Sequence, residues 1–272
     1  LATALVFSVG SAQITVPSDG SDGAFNVAGY DYVFNLAEAP TASWNTPAPI
    51  PGKGVYDPVQ WAVVYKFSSF NFNANNMFFA QHPSGAPVVI LVQGSVTIRG
   101  NLWLQGGGNN GTALALPGPG GFRGGATSYV LPGSAGFGPG GGDFQIAVDN
   151  AGSGSYGTLG NGPSGPLYGN PKIIPLIGGS GGAGRYAHNQ GGGGGGGAIL
   201  IASQTSISLT SGGINTNGGG SHERGGGSGG AIKLIADTVT VDAASYLSAV
   251  GQSGGGNGRI RIEANTRTIS GA

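Results

Sequence analysis

AILIASQTSISLTSGGINTNGGG (residues 198–220) is followed, ten residues on, by AIKLIADTVTVDAASYLSAVGQSGGG (231–256). Each reads as an apolar, β-branched run, a short polar turn, a second strand-like run and a block of glycine. Ile199 and Ile232 are 33 residues apart, and Ile207 and Val239 are 32 apart. VVILVQGSVTIRGNLWLQGGG (88–108) has the same form, and GRIRIEANTRTISGA (258–272) is a truncated last copy. Short strands repeating at such a period, with no helical periodicity between them, predict a solenoid whose copies stack as successive coils. The expected class is all-β, a parallel β-helix with Val96, Ile98, Ile207, Leu209, Val239 and Val241 turned into its core.

Working outward, residues 88–272 form the expected solenoid, interrupted by a glycine-rich insertion at 106–197. Residues 1–87 form a β-rich N-terminal region that holds most of the aromatics. In it, Trp61, Val63, Tyr65 and Phe67 alternate with Ala62, Val64 and Lys66, the pattern of a strand buried mainly on one side. Glycine supplies 59 of 272 residues, and each glycine in regular structure costs roughly 0.5–1 kcal/mol relative to alanine. A dense backbone hydrogen-bond network has to offset that cost. Extended, polyproline-II-like glycine segments are one solution, because no side chain stands between neighbouring backbones. The prolines of LPGPGGF, GFGPGGG and NGPSGP suit that conformation, and Phe122, Tyr129, Phe137, Phe144, Tyr156 and Tyr168 are spaced as anchors for it.

Composition excludes several functions. The 11 basic and 11 acidic residues cancel, and at 8% the charged fraction is far below the usual quarter or so. Such a surface has no footprint for nucleic acid and favours self-association. With no cysteine there are neither disulfides nor thiolate metal sites. LATALVFSVGSAQ (1–13) resembles the end of a secretory signal, with Gly10 and Ala12 as the small residues before a cut at Gln13. It is too short for a membrane span. The reading adopted is a strand continuing through Ile14 and Val16, so that residues 1–16 form a strand-donor segment, with folding back on its own subunit as the alternative.

The order PSDGSDGAF, GKGVYDPVQWAVVYKFSS, HPSGAPVVILVQGSVTIRGNLWLQGGG, GPGGFRGG and then GGGSGGAIKLIA-type units resembles a group of secreted, glycine-rich bacterial proteins of uncharacterised function with predicted β-solenoid cores. The resemblance covers most of the chain and implies an exported surface or matrix protein. It brings no catalytic residues.

Candidate chemistry is sparse. GGSGGAGRY has glycines at dinucleotide-loop spacing but lacks the helix and downstream acid that such a loop needs. His222, Glu223 and Arg224 are the densest polar cluster, yet neighbours on an extended chain point to opposite sides. Asp19 and Asp22 in SDGSDG are the candidate metal ligands, for calcium, although Asp-Gly is also an ordinary turn signal. Glycosidases need two converging carboxylates, and the solenoid copies carry only Asp237, Asp242 and Glu263, at no common phase. Arg99, Lys233, Arg259 and Arg261 are expected to face solvent. Trp44, Tyr56 and Trp61 are candidates for a sugar platform, with loop packing as the competing reading.

The expectation is therefore a non-enzymatic extracellular or cell-surface structural protein, a subunit of a self-assembling fibre or matrix, with no required cofactor. The alternatives are a carbohydrate-binding or adhesin module that takes surface glycans and, behind it, a polysaccharide-degrading β-helix enzyme. The expected partner is a second copy of the chain in a head-to-tail filament. Leu1, Leu5, Phe7, Val9, Ile14 and Val16 would meet Ile260, Ile262 and Ile269 at an open strand edge.

Overall fold

The structure, a computed structural model, describes residues 14–108, 114–127, 133–145, 150–185, 191–221 and 225–270. It is all-β. Among the described residues the helical content is one 3-10 turn, Leu36–Glu38, capped where Asn35 Oδ1 accepts from the Ala37 N–H.

The chain begins with β1 (Ala24–Gly29), β2 (Tyr32–Asn35) and, after the turn, β3 (Val55–Asp57). Next come β4 (Ala62–Phe67), β5 (Ser69–Ala74) and β6 (Asn76–Ala80), then β7 (Val88–Val92), β8 (Val96–Ile98) and β9 (Asn101–Trp103). The glycine-rich stretch contributes the short antiparallel pair β10 (Phe144–Gln145) and β11 (Asn150–Ala151). It is followed by β12 (Ala198–Ser203), β13 (Ser206–Leu209), β14 (Gly213–Asn215), β15 (Ala231–Val241), β16 (Tyr246–Ser248) and β17 (Arg259–Ile269).

Ten strands make a curled, mostly parallel sheet in the order β1-β5-β8-β13-β15-β12-β7-β4-β3, with β17 beside β15. Five others make a second parallel sheet, β16-β14-β9-β6-β2. The curl comes from β15, whose first half pairs with β12 and whose second half pairs with β13. The register is the one the sequence offsets require, Ile199 opposite Ile232 and Ile207 opposite Val239, and the structure adds Val88 opposite Ile199.

Parallel in-register pairing puts like residues into lines across the sheet. Phe25, Phe70, Val96, Ile207 and Val239 form one such line, all buried. One residue on, and therefore on the opposite face, runs the line Asn26, Asn71, Thr97, Ser208, Thr240 and Thr268, which meets solvent. The six expected core residues are all buried.

Strands on the two sides of 87/88 pair with one another, β4, β5 and β6 with β7, β8 and β9, and one hydrophobic cluster runs from Phe25 to Val241. Two expectations need correction. Strand β4 is buried on both faces, because Val16, Val55, Ala62, Val64, Leu91 and Ala202 form a second cluster on its outer side. Lys233 is only 5% exposed. The chain at 170–177 straps over it, so that its Nζ donates to the Lys172 carbonyl at 3.0 Å and pairs with Glu263 at 3.2 Å.

In the glycine-rich stretch, backbone bonds backbone. Gly118 donates to Gly195 O, Gly195 to Phe122 O, Gly182 to Gly193 O, Gly193 to Gly225 O and Gly196 to Ser228 O, at 2.8–3.0 Å. The contacts explain why glycine is needed there. A Cβ on Gly195 would lie 1.9 Å from Gly179 O, and one on Gly219 would lie 1.8 Å from Gly107 O. Tyr156 and Tyr168 do anchor this stretch: their rings are 4.6 Å apart, and their hydroxyls donate to Ile177 O and Gly178 O. Phe137 does not, being 52% exposed, and Tyr129 lies outside the described residues.

Candidate functional site

The open end of the large sheet is where sequence and structure converge on a surface that could act. Strand β17 pairs with β15 along its whole length, from Arg259 opposite Ala231 to Ile269 opposite Val241. Its other edge has no strand partner among the described residues. Among the described residues no further strand lies beyond the β17 residues that are in register with core residues of β15. Ile260, opposite the buried Ile232, is 44% exposed, and Ile269, opposite the buried Val241, is 46% exposed. Ile262 and Ala264 are half-buried. Arg267 occupies the register position of Val239 and is exposed. A charge at a core-facing edge position is a device against indiscriminate pairing.

Polar side chains on the outer face of this end are satisfied locally, except that the buried Arg259 Nε has no hydrogen-bond partner among the described residues. Burial acts to raise the Glu263 carboxyl, but Arg261 at 2.5 Å and Lys233 at 3.2 Å hold it below the usual range. Arg259 donates to Tyr168 O and lies 5.6 Å over the Tyr156 ring, which ties β17 to the glycine-rich stretch.

The opposite end is half closed. Strand β3 runs antiparallel to β4 and takes the edge that a further parallel strand would need. The chain around Thr41 in turn bridges to Tyr56. Among the described residues strand β1 pairs only with β5. Its core-facing Phe25 stacks on Phe70 at 4.4 Å between centroids and contacts Tyr32, Phe34 and Phe67.

Of the expected donor segment, Leu1, Leu5, Phe7 and Val9 lie outside the described residues. Ile14 and Val16 pack on their own subunit, against the outer cluster of β4 and β7, since the apolar outer face of those strands requires a cover. Ser18 fixes the path: its Oγ donates to Phe67 O, and its carbonyl accepts from Gln93 Nε2.

Asp19 and Asp22 are occupied by donors rather than arranged around a cation. Asp22 is buried, and it accepts from the N–H groups of Gly52, Gly54 and Lys66 at 2.7–3.0 Å. Burial raises its carboxyl in spite of these donors. Asp19 accepts from Lys66 Nζ at 2.8 Å and from the Ser21 N–H. Burial opposes its ionisation, but those bonds hold its carboxyl down to about 2. Lys66 is itself buried and also donates to Thr46 O. The cluster clamps the 43–54 loop to β4. Among the described residues no group of three or more His, Asp and Glu could hold a metal ion.

The other candidates do not converge. Asp237 accepts from Asn265, and Asp242 caps a turn through Ser245 and the Ser211 and Ala244 N–H groups. His222, Glu223 and Arg224 lie outside the described residues. Trp44 packs beside Asp57, which accepts from its N–H, whereas Tyr56 stacks on His82 at 4.3 Å and Trp61 donates to Ser84 O. Three aromatics thus serve two places instead of one platform. Sequence reading passed over His82, Ser84 and Arg123, which carry no motif and meet Trp61 only through the fold. Among the described residues no helix is long and apolar enough to cross a membrane.

The chain matches no known family model, no curated protein and no solved structure.

Proposed function

We propose that the chain is an extracellular structural protein whose two parallel sheets are faces of one parallel β-helix, and that it assembles head to tail into a filament. The glycine-rich segments pack on that helix as extended, polyproline-II-like strands. The observation that carries the reading is the free edge of β17 with Ile260 and Ile269 uncovered beside it. A long unpaired edge is a template for another strand, which the charges of β17 make selective for a matching partner, and a heterologous contact of this kind propagates unless it closes into a ring.

The second half of β17 is matched by β1 of the next copy. Register lines run unbroken from Val27 through Phe72, Ile98, Leu209 and Val241 to Ile269, and from Phe25 to Arg267. Stacking β1 on β17 continues these lines, covers Ile269 with an apolar residue and brings the Arg267 guanidinium to an aromatic ring, a favourable pairing. Secretion and the likeness to glycine-rich bacterial surface proteins belong to the same proposal.

Replacing Ile260 and Ile269 together by lysine tests it. Both positions are solvent-accessible in the single chain, so the variant should remain folded by circular dichroism while losing assembly in sedimentation velocity. Assembly as extensive as that of the unmodified chain would overturn this role for β17.

A further inference from the structure

Where the glycine-rich stretch meets the start of β4, the surface forms an open cavity of ≈ 380 Å³ lined by Trp61, Gln81, His82, Phe122, Arg123 and Phe137, among others. It shares no residue with β17 or β1, so it is independent of the assembly reading. Three features distinguish it from a packing gap.

The first is uncommitted charge. Most charged groups in this sparsely charged chain have partners, but Arg123 is exposed and its guanidinium has neither hydrogen bond nor ion pair among the described residues. The second is an aromatic wall. Phe137 is half exposed beside Phe122 and the half-buried indole of Trp61. The third is backbone strain. Trp61 has φ of +48°, a conformation that a bulky side chain rarely takes and that persists only where its surroundings enforce it. It is held by its Nε1–H bond to Ser84 O, while Ser84 Oγ is bonded to His82 Nδ1 at 2.7 Å and His82 stacks on Tyr56. Gln81 donates to Pro117 O, which fixes its amide and leaves Oε1 without a donor among the described residues.

A shallow aromatic-walled site with one fixed amide acceptor and one free guanidinium suits a pyranose ring that carries a carboxylate. The apolar face of the sugar covers the rings, a hydroxyl donates to Gln81 Oε1, and the carboxylate takes two parallel N–H bonds from the planar guanidinium. We infer that this cavity binds an acidic polysaccharide of uronate type, which would hold the protein on an anionic glycan surface.

Calorimetric titration of the full chain with oligogalacturonate and with a cello-oligosaccharide of equal length tests this. The acidic oligomer should bind more tightly by about tenfold or more, the worth of a charge-assisted bond. Arg123→Gln should erase that difference, and Phe137→Ala should weaken both ligands. Arg99→Gln, outside the cavity, should leave binding unchanged. Equal binding of the two oligomers, binding of neither, an unaltered Arg123→Gln variant, or equal losses in Arg99→Gln and Arg123→Gln would each overturn the assignment. The last would show attraction to charge at large.

Discussion

Asp19 and Asp22 show how residues of one type, three positions apart, come to do different work. Asp22 lies inside and takes three backbone N–H groups; Asp19 lies at the rim and takes the Lys66 ammonium. Their carboxyls consequently move in opposite directions, Asp22 up through burial and Asp19 down to about 2. A depressed carboxyl contributes stability that is present above its unfolded value, 3.8, and is lost as pH falls through about 2. Asp22 contributes in the opposite sense, since the folded chain takes up its proton more readily than the unfolded chain does. The stability difference between the unmodified protein and Asp19→Asn, followed by urea titration at several pH values, should therefore be present at pH 5 and shrink as pH falls from about 4 to about 2. A difference independent of pH would mean that the Asp19–Lys66 pair is not what holds the loop.

At the scale of elements, the strands were legible in the sequence and their surroundings were not. The offsets of 33 and 32 residues placed Ile199 opposite Ile232 and Ile207 opposite Val239, because parallel stacking demands equal phase along each line. Alternation in β4 was visible too, but not its second buried face, since the covers come from Val16 and Val55, far from it in sequence. Lys233 alternates with apolar residues like any solvated lysine, and only the strap at 170–177 buries it. Glycine density announced backbone packing without saying which segments touch. The contacts make that testable. A methyl group on Gly195 would meet the Gly179 carbonyl at 1.9 Å, whereas one on Gly220 would first meet the Ser253 hydroxyl at 3.3 Å. Gly195→Ala should cost roughly 1–3 kcal/mol or more, the usual penalty for overpacking. Gly220→Ala should be close to neutral in thermal unfolding. Equal effects at the two sites would contradict close backbone packing as the reason for glycine.

For the molecule as a whole, the two ends differ. One is half closed by β3 and the 43–54 loop clamped at Lys66; at the other, β17 has no second strand partner among the described residues. The sequence showed the edge residues Ile260, Ile262 and Ile269 through the last copy of the repeat pattern. It hid the half-closed end, because β3 pairs against the direction of the repeat. The sequence placed Ile14 and Val16 in a donated strand; they pack on the outer cluster of β4 and β7, so in the proposed filament the contact falls to β17 and β1. In that proposal growth adds strand to strand along the direction in which the sheets already pair. Fibre diffraction from the concentrated, purified chain measures this directly. The account predicts filaments with a meridional reflection at about 4.8 Å, the spacing of paired strands along the filament axis. A chain that stays monomeric at every concentration, or filaments in which that spacing lies across the axis, would contradict it.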